Sequence, residues 1–416
     1  MTRVGLRLWP RHHREPSCQQ SSASGANLRP LLITLAASLA ITAPATFPAA
    51  GQTSVETFVP PPVEDAPIAY LLDLSSGQVL FEREADRRFM PASITKVMTT
   101  YLAFEWMEQG KVSPEQIFAI TPETWRAWNN VGSTMFLPHN ARVSVDDLVH
   151  GVTTVSANDG AAMLAVGAAG SIGVWVDAMN AMAKQIGMRD SHFGTANGWM
   201  DEGRTFVTAR DLSTLASAMI ARHPGKYRHY VGHREFTYRG ITQPNHDPIS
   251  GYVAGADGIK TGFTNQSGYG FLGTAERDGR RLILVVAASP NNAARRRASR
   301  DLLEWGFSAF EHQRVYGPQK TIASANVQDG DAAKVALVAP GGVFLDRPRG
   351  KSPDVEMEVR YEGPLIAPIR QGEEIARLHV SIDGMSDYSI PLTAAHAVEK
   401  AGVLDRVWNG VRGLFT

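Results

Sequence analysis

The chain has 416 residues, 44% of them hydrophobic and 20% charged, which is enough apolar material for a sizeable core and too much for a disordered chain. Its 41 Lys and Arg balance 41 Asp and Glu, so a net charge of zero gives no global attraction to nucleic acid, and no nucleic-acid partner is expected. The one cysteine, Cys18, excludes an internal disulfide; it also precedes an apolar N-terminal run, so a processed chain would hold no cysteine nucleophile.

Residues 1–50 combine several arginines and a Ser-rich stretch with LLITLAASLAITAPATFPAA. The apolar run from Leu31 to Ile41, followed by small residues, resembles a secretory signal peptide, with cleavage after Ala45 or near Ala50. Its long polar lead leaves two alternatives, a start site set too far upstream or an uncleaved anchor. Each places the protein outside the cytoplasm.

Residues 52–66 are Pro-rich and read as an extended lead-in. PIAYLLDL and QVLFERE flank SSG as a hairpin. From Pro91 the spacing turns helical, with Ile94, Val97, Met98 and Leu102 on one side and Ser93 in the first turn. SVDDLVHGVTTV predicts a helix opened by Ser144 with Asp147, and Ser156-Ala157-Asn158 comes where its period stops. SIGVWVDAMNAMAKQIG and TARDLSTLASAMIARHP are two more amphipathic helices, the second N-capped by Thr208. DGIKTGFT, GYGFLGTAE and RRLILVVAAS then read as strands, the last two joined at the Asp-Gly turn of RDGR, and AARRRASRDLLEWGFSAFE closes the unit as a helix.

Strands, helices, strands and a helix imply an α+β fold over residues 51–314, with helices packed on an antiparallel sheet. Short β-prone segments separated by Gly and Pro imply a small all-β domain over 315–395. Within the last segment, 396–416, Leu404, Val407, Trp408, Val411, Leu414 and Phe415 share one helical face opposite Arg406, Asn409 and Arg412. This is the pattern of an amphipathic anchor lying in a membrane interface; the alternative is a terminal helix docked on the β-domain.

Three short patterns occur in order: Ser93-Ile94-Thr95-Lys96, Ser156-Ala157-Asn158 and Lys260-Thr261-Gly262. Alone, each has a structural explanation, and Ser-x-Asn recurs at Ser289 and Ser324. Together they make chemical sense. Three residues apart on a helix, Ser93 and Lys96 share a face, so the amine can take the hydroxyl proton if burial and a second cation such as Lys260 hold it neutral. The helix start offers N–H groups to an oxyanion. Lys260 can bind an anionic substrate end, Gly262 can let a substrate backbone approach the strand, Asn158 can hold a substrate amide, and Ser156 can pass a proton to the leaving group.

Other motifs fail on context. Gly268-Tyr269-Gly270-Phe271-Leu272-Gly273 spells a dinucleotide fingerprint, but a hairpin follows it rather than a helix. His229 and His233 lack the glutamate of a zinc protease and read as two surface histidines, so no metal is called for.

The three patterns and their contexts, MPASITKVMTTYLA, VSANDGAAMLA and GADGIKTGFTNQSGYGFLGTAERDGRRLILVV, resemble those of the penicillin-recognising serine acyltransferases. Over residues 65–312 they are most similar to the serine-type D-alanyl-D-alanine carboxypeptidases among the low-molecular-mass penicillin-binding proteins. That resemblance implies a penicillin-binding/β-lactamase-like transpeptidase fold, followed by the family's β-domain and C-terminal anchor. It implies Ser93 as acylated nucleophile, Lys96 as its base, Ser156 and Asn158 as the second element, and Lys260, Thr261 and Gly262 as the carboxylate-binding strand. The N–H groups of Ser93 and Phe263 would form the oxyanion hole. No cofactor is implied. The partners would be peptidoglycan stem peptides, β-lactam antibiotics as covalent inhibitors, and the outer face of the inner membrane in the periplasm. Ala157 departs from the family's frequent glycine, which could alter substrate fit. Endopeptidase or transpeptidase action, a β-lactamase and a non-catalytic wall-binding protein remain as alternatives. The class A β-lactamase pattern needs a glutamate followed four residues later by asparagine; between Asn158 and Lys260 there are only Glu202 and Glu235, followed by Phe206 and Arg239.

Overall fold

The structure is a computed structural model that describes residues 60–61 and 63–402, with the backbone of Thr2–Leu6. The signal-like run, Cys18, most of the Pro-rich lead-in and the amphipathic residues 403–416 lie outside the described residues.

Five antiparallel strands form the central sheet in the order Gln78–Arg83, Ile68–Asp73, Arg280–Ser289, Gly268–Arg277 and Ala256–Thr264. The first strands of this domain thus pair with one near its end, so sheet closure is long-range. Side chains alternate across it. Ile68, Tyr70, Ile283, Val285 and Ala287 enter the core beneath the helices, while Ala69, Leu71, Leu282, Leu284 and Val286 enter a second core on the opposite face. Burial on both faces explains why these strands read as continuous apolar runs, each buried Leu, Ile or Val being worth about 1.5–3 kcal/mol.

Seven helices cover the first face: α1 (Lys96–Glu108), α2 (Pro122–Trp128), α3 (Val145–Thr154), α4 (Asn158–Ala169), α5 (Ile172–Gln185), α6 (Ala209–Arg222) and α7 (Pro224–Tyr230). α8 (Asn292–Ser308) covers the other, seating Ala298, Leu302 and Leu303 on the sheet. Ser144 caps α3 by accepting from Asp147 N at 3.0 Å, and Thr208 caps α6 by accepting from Asp211 N at 3.1 Å. α1 differs from its one-sided expectation, being buried from Lys96 through Glu105 because helices and sheet surround it. α4 had no legible amphipathic period for the same reason: its first eight residues are all buried.

The β-rich region starts earlier than residue 315. Phe310–Tyr316 leaves α8 as a strand and pairs with Val343–Pro348. The remaining strands, with Thr2–Leu6 at one edge, form a seven-stranded sheet. Its core includes Val335, Leu337, Val359, Leu378 and Leu392. Residues 396–402 also belong here: Val398 and Ala401 are buried, and Lys400 bridges Gly330. At the junction with the helical domain, buried Asp73 and Asp346 share the Arg280 guanidinium at 2.6 and 3.0 Å, and His312 Nδ1 lies 2.8 Å from Asp346.

Candidate active site

Ser93 sits in a tight 3₁₀ turn, Ala92–Thr95, that runs directly into α1. Ala92 just before it has φ 50°, a left-handed backbone that costs a non-glycine residue about 1–3 kcal/mol and is held there by its surroundings. The turn rests on the Lys260 strand. A Cβ on Gly262 would fall 2.3 Å from Pro91 O, and one on Gly270, directly across the ladder, 3.2 Å from Ile94 Cδ1. Gly262 therefore makes room for the segment that carries Ser93. Gly262 also lines the open cleft beside Ser93.

Lys96 has no solvent exposure, and its Nζ has three oxygen neighbours: Ser93 Oγ at 2.9 Å, Asn158 Oδ1 at 2.8 Å and Asn197 O at 2.7 Å. Burial, and then the nearby Lys260 cation, hold this amine well below its ordinary pKa against a partial opposing pull from Asp159. A neutral amine has two N–H groups and one lone pair. In that neutral form the two carbonyl oxygens take the N–H groups, which leaves the lone pair for the Ser93 hydroxyl. Lys260 is likewise buried and brought down to about 7, by desolvation first and by Arg295 second, with Asp247 opposing.

Ser156 and Asn158 bracket the junction of α3 and α4. Ser156 has φ 64°, a conformation that breaks the helical run, and Asn158 N donates to Ser133 O at 2.7 Å while Asn158 Nδ2 donates to Val131 O at 2.8 Å. Asp159 accepts from Met135 N at 3.0 Å and Leu137 N at 3.1 Å, which pins the 131–137 loop against α4. Ala157 is fully buried; its methyl lies against the positions a Cβ would take at Gly151 and Gly160, so it packs into the helix junction.

Ser93, Ser156, Thr261 and Phe263 line one open cleft of about 490 Å3, together with Arg295 and Ser133. Phe263 is half exposed and stacks on Tyr269 with ring centroids 4.1 Å apart. All eight residues picked out by the sequence patterns thus come from three separated segments to one place. Two contributors were missed. Asn197 supplies a backbone carbonyl, which has no sequence signature. Arg295 lies one turn into α8 and puts a second cation beside Lys260; the RRR run of residues 295–297 was legible as charge but not as part of a site.

A family model described as D-alanyl-D-alanine carboxypeptidase matches residues 55–291, and a model of the C-terminal domain of penicillin-binding protein 5 matches 310–400. The chain belongs to the D-alanyl-D-alanine carboxypeptidase family. It is similar to the D-alanyl-D-alanine carboxypeptidase DacA of Haemophilus influenzae, at 33% identity over 86% of this chain and 92% of the relative. Among solved structures it is similar to penicillin-binding protein 5 of Haemophilus influenzae, with a TM-score of 0.70, 32% identity, and coverage of 82% of this chain and 100% of that one. Penicillin-binding protein D2 of Listeria monocytogenes, solved in its ampicillin-bound form, matches with a TM-score of 0.54 and 30% identity over 59% of this chain and 98% of that one. The carboxypeptidase fold and its β-rich C-terminal module therefore agree with the α+β-then-β layout expected from the sequence. Glu202 and Glu235 of this carboxypeptidase are both exposed, so neither is placed as the buried hydrolytic base of a β-lactamase.

Proposed function

We propose that this D-alanyl-D-alanine carboxypeptidase works through an acyl-serine on Ser93 and removes the terminal D-alanine of peptidoglycan pentapeptide stems. The observation that carries the reading is the Ser93 Oγ to Lys96 Nζ distance of 2.9 Å, to an amine whose pKa burial holds well below its ordinary value. The Ser93 proton passes to Lys96 Nζ as Oγ adds to the penultimate D-alanine carbonyl. The negative oxygen is received by backbone N–H groups of Ser93 and Phe263. Collapse breaks the C–N bond, Ser156 relays a proton to the departing amine, and water then cleaves the ester and restores Ser93. Lys260 and Arg295 supply positive charge for the terminal carboxylate, while Asn158 holds both Lys96 and the peptide amide.

The same pocket accepts a β-lactam, whose strained amide acylates Ser93. Release of D-alanine from a diacyl peptide ending in D-Ala-D-Ala, together with labelling by fluorescent penicillin, tests the reading. Labelling of Ser93→Ala to the level of the parent would overturn it. Products from cross-linked muropeptides separate carboxypeptidase from endopeptidase or transpeptidase action, and fast nitrocefin turnover would favour a β-lactamase.

Peptidoglycan as substrate supports a working enzyme on the outer side of the cytoplasmic membrane. Residues 1–50 serve as the export signal, so the edge strand Thr2–Leu6 leaves with them and the exported β-domain keeps the other six strands of that sheet, and 403–416 serve as an interfacial anchor on the periplasmic face of the inner membrane. The mass of the exported chain locates the cleavage site. Truncation after residue 402 is expected to release the protein from membranes with activity on soluble peptide retained; a truncated chain that stays membrane-bound would remove the anchor assignment.

A further inference from the structure

Away from the catalytic cleft, α3 and α7 bring together side chains that the reaction does not use. Asp146 and His150 are four residues apart on α3 and share a face. His229 lies in the last turn of α7, and His233 follows just beyond it. His229 Nε2 is 3.1 Å from Asp146 Oδ1, His150 Nε2 is 3.9 Å from Asp146 Oδ2, and one ligand atom from each of the three residues falls within 4.8 Å of the other two. The His150 ring centroid lies 5.1 Å from each of the His229 and His233 rings.

We propose that Asp146, His150 and His229 form a site for a borderline divalent cation, Zn²⁺ foremost, with His233 or a water as fourth ligand. Tetrahedral zinc with bonds of about 2.0–2.1 Å needs donors about 3.3 Å apart, so ligand atoms already within 4.8 Å of one another have to close up by about 1.5 Å at most. The donor set of imidazole nitrogens plus one carboxylate suits zinc and disfavours Mg²⁺ or Ca²⁺, which need oxygen ligands. A purely hydrogen-bonded cluster explains the contact to His229, but 3.9 Å between His150 and Asp146 is too long for a hydrogen bond.

The surroundings orient these donors. Tyr230 Oη donates to Asp146 Oδ1 at 2.8 Å, and Phe236 stacks on the His150 ring with planes 12° apart, so both ligands are oriented by second contacts. His233 Nε2 lies 2.7 Å from His229 O, which leaves its ring beside the cluster.

A bound ion would tie together two walls of the active site. α3 leads into Ser156, and Val231, directly after α7, meets the strand of Lys260: a Cβ on Gly258 would lie 2.7 Å from Val231 Cγ1.

The test uses chelator-treated, tag-free exported protein titrated with ZnCl₂ by calorimetry at pH 7.5, and with Co²⁺ read by visible absorption. One ion per chain is expected, with the strong visible bands of a four-coordinate Co²⁺ complex. Affinity should fall at least about ten-fold in exposed His229→Ala and disappear in the His150→Gln, His229→Ala double variant. Both variants should still be labelled by fluorescent penicillin, which separates loss of the ion from loss of fold. Lowering the pH to about 5.5 should weaken binding as imidazoles take up protons. A parent that takes up no zinc below millimolar concentration, or a double variant that binds as the parent does, overturns the site.

Discussion

Lys96 Nζ lies 2.9 Å from Ser93 Oγ, and of the amine's three oxygen neighbours only this one carries a proton to give. Asn158 Oδ1 and Asn197 O can only accept, so the geometry itself directs the lone pair at the nucleophile. Lys96→Arg puts a permanently protonated group where the parent has a buried amine of lowered pKa, so it cannot take the Ser93 proton. Penicillin acylation is expected to slow by about 10³-fold or more, with some loss of thermal stability from the buried charge, and stopped-flow acylation would measure it.

The two depressed amines give the carboxypeptidase a signed pH profile. kcat/KM should rise as Lys96 loses its proton on the acid side and fall near pH 7 as free-enzyme Lys260 loses the charge that receives the substrate carboxylate. Bound carboxylate favours the charged form of Lys260, so the alkaline limb of kcat should lie at higher pH than that of kcat/KM. Lys260→Arg should move the alkaline limb of kcat/KM upward. Identical limbs in variant and parent would remove Lys260 from this role.

Gly262→Ala should separate the nucleophile from its strand. A methyl group 2.3 Å from Pro91 O pushes the Ser93 turn away from the strand edge. Acylation is expected to fall by about 10²-fold while the fold survives, since a displacement of under an ångström suffices. Second-order acylation constants would check it.

Gly198→Ala should be harsher and act on stability. Gly198 has φ +74°, and a Cβ there would lie 1.8 Å from Ala92 O, beneath the same turn. Backbone strain and overlap together should cost about 3 kcal/mol or more, read as a lowered denaturant midpoint.

Arg280→Met should weaken the domain junction in a pH-dependent way. Burial first, then the Asp346 charge, raise the pKa of Asp73 against the pull of Arg280 and His312. A carboxyl raised above its unfolded value contributes stability at low pH that is lost as pH rises through its folded pKa. Removing the guanidinium leaves two buried carboxylates facing each other, so destabilisation of about 3–5 kcal/mol is expected near pH 8 and less near pH 5. Melting curves of parent and variant across that range would decide.

Local patterns were legible wherever a segment meets its surroundings in a regular way. Ser144 and Thr208 announced α3 and α6 because a cap is a short-range hydrogen bond, and the RDGR turn announced the hairpin because two residues set its geometry. α4 was silent, since a helix buried on every side has no polar face to create a period. Asn197 was silent because its contribution is a carbonyl oxygen that every residue has.

By itself the sequence determined the order of the three motifs, the chemistry available to them and the division into a helical and a β-rich part, because these depend on residue type and spacing along the chain. Only the tertiary structure decided that the Lys96 amine is buried and its pKa held well below the ordinary value, that Gly262 and Gly198 make room for the Ser93 turn, and that Asp146, His150 and His229 meet. Those facts arise from contacts across tens of residues or more, and the desolvation and close approach behind them exist only once the segments have packed together.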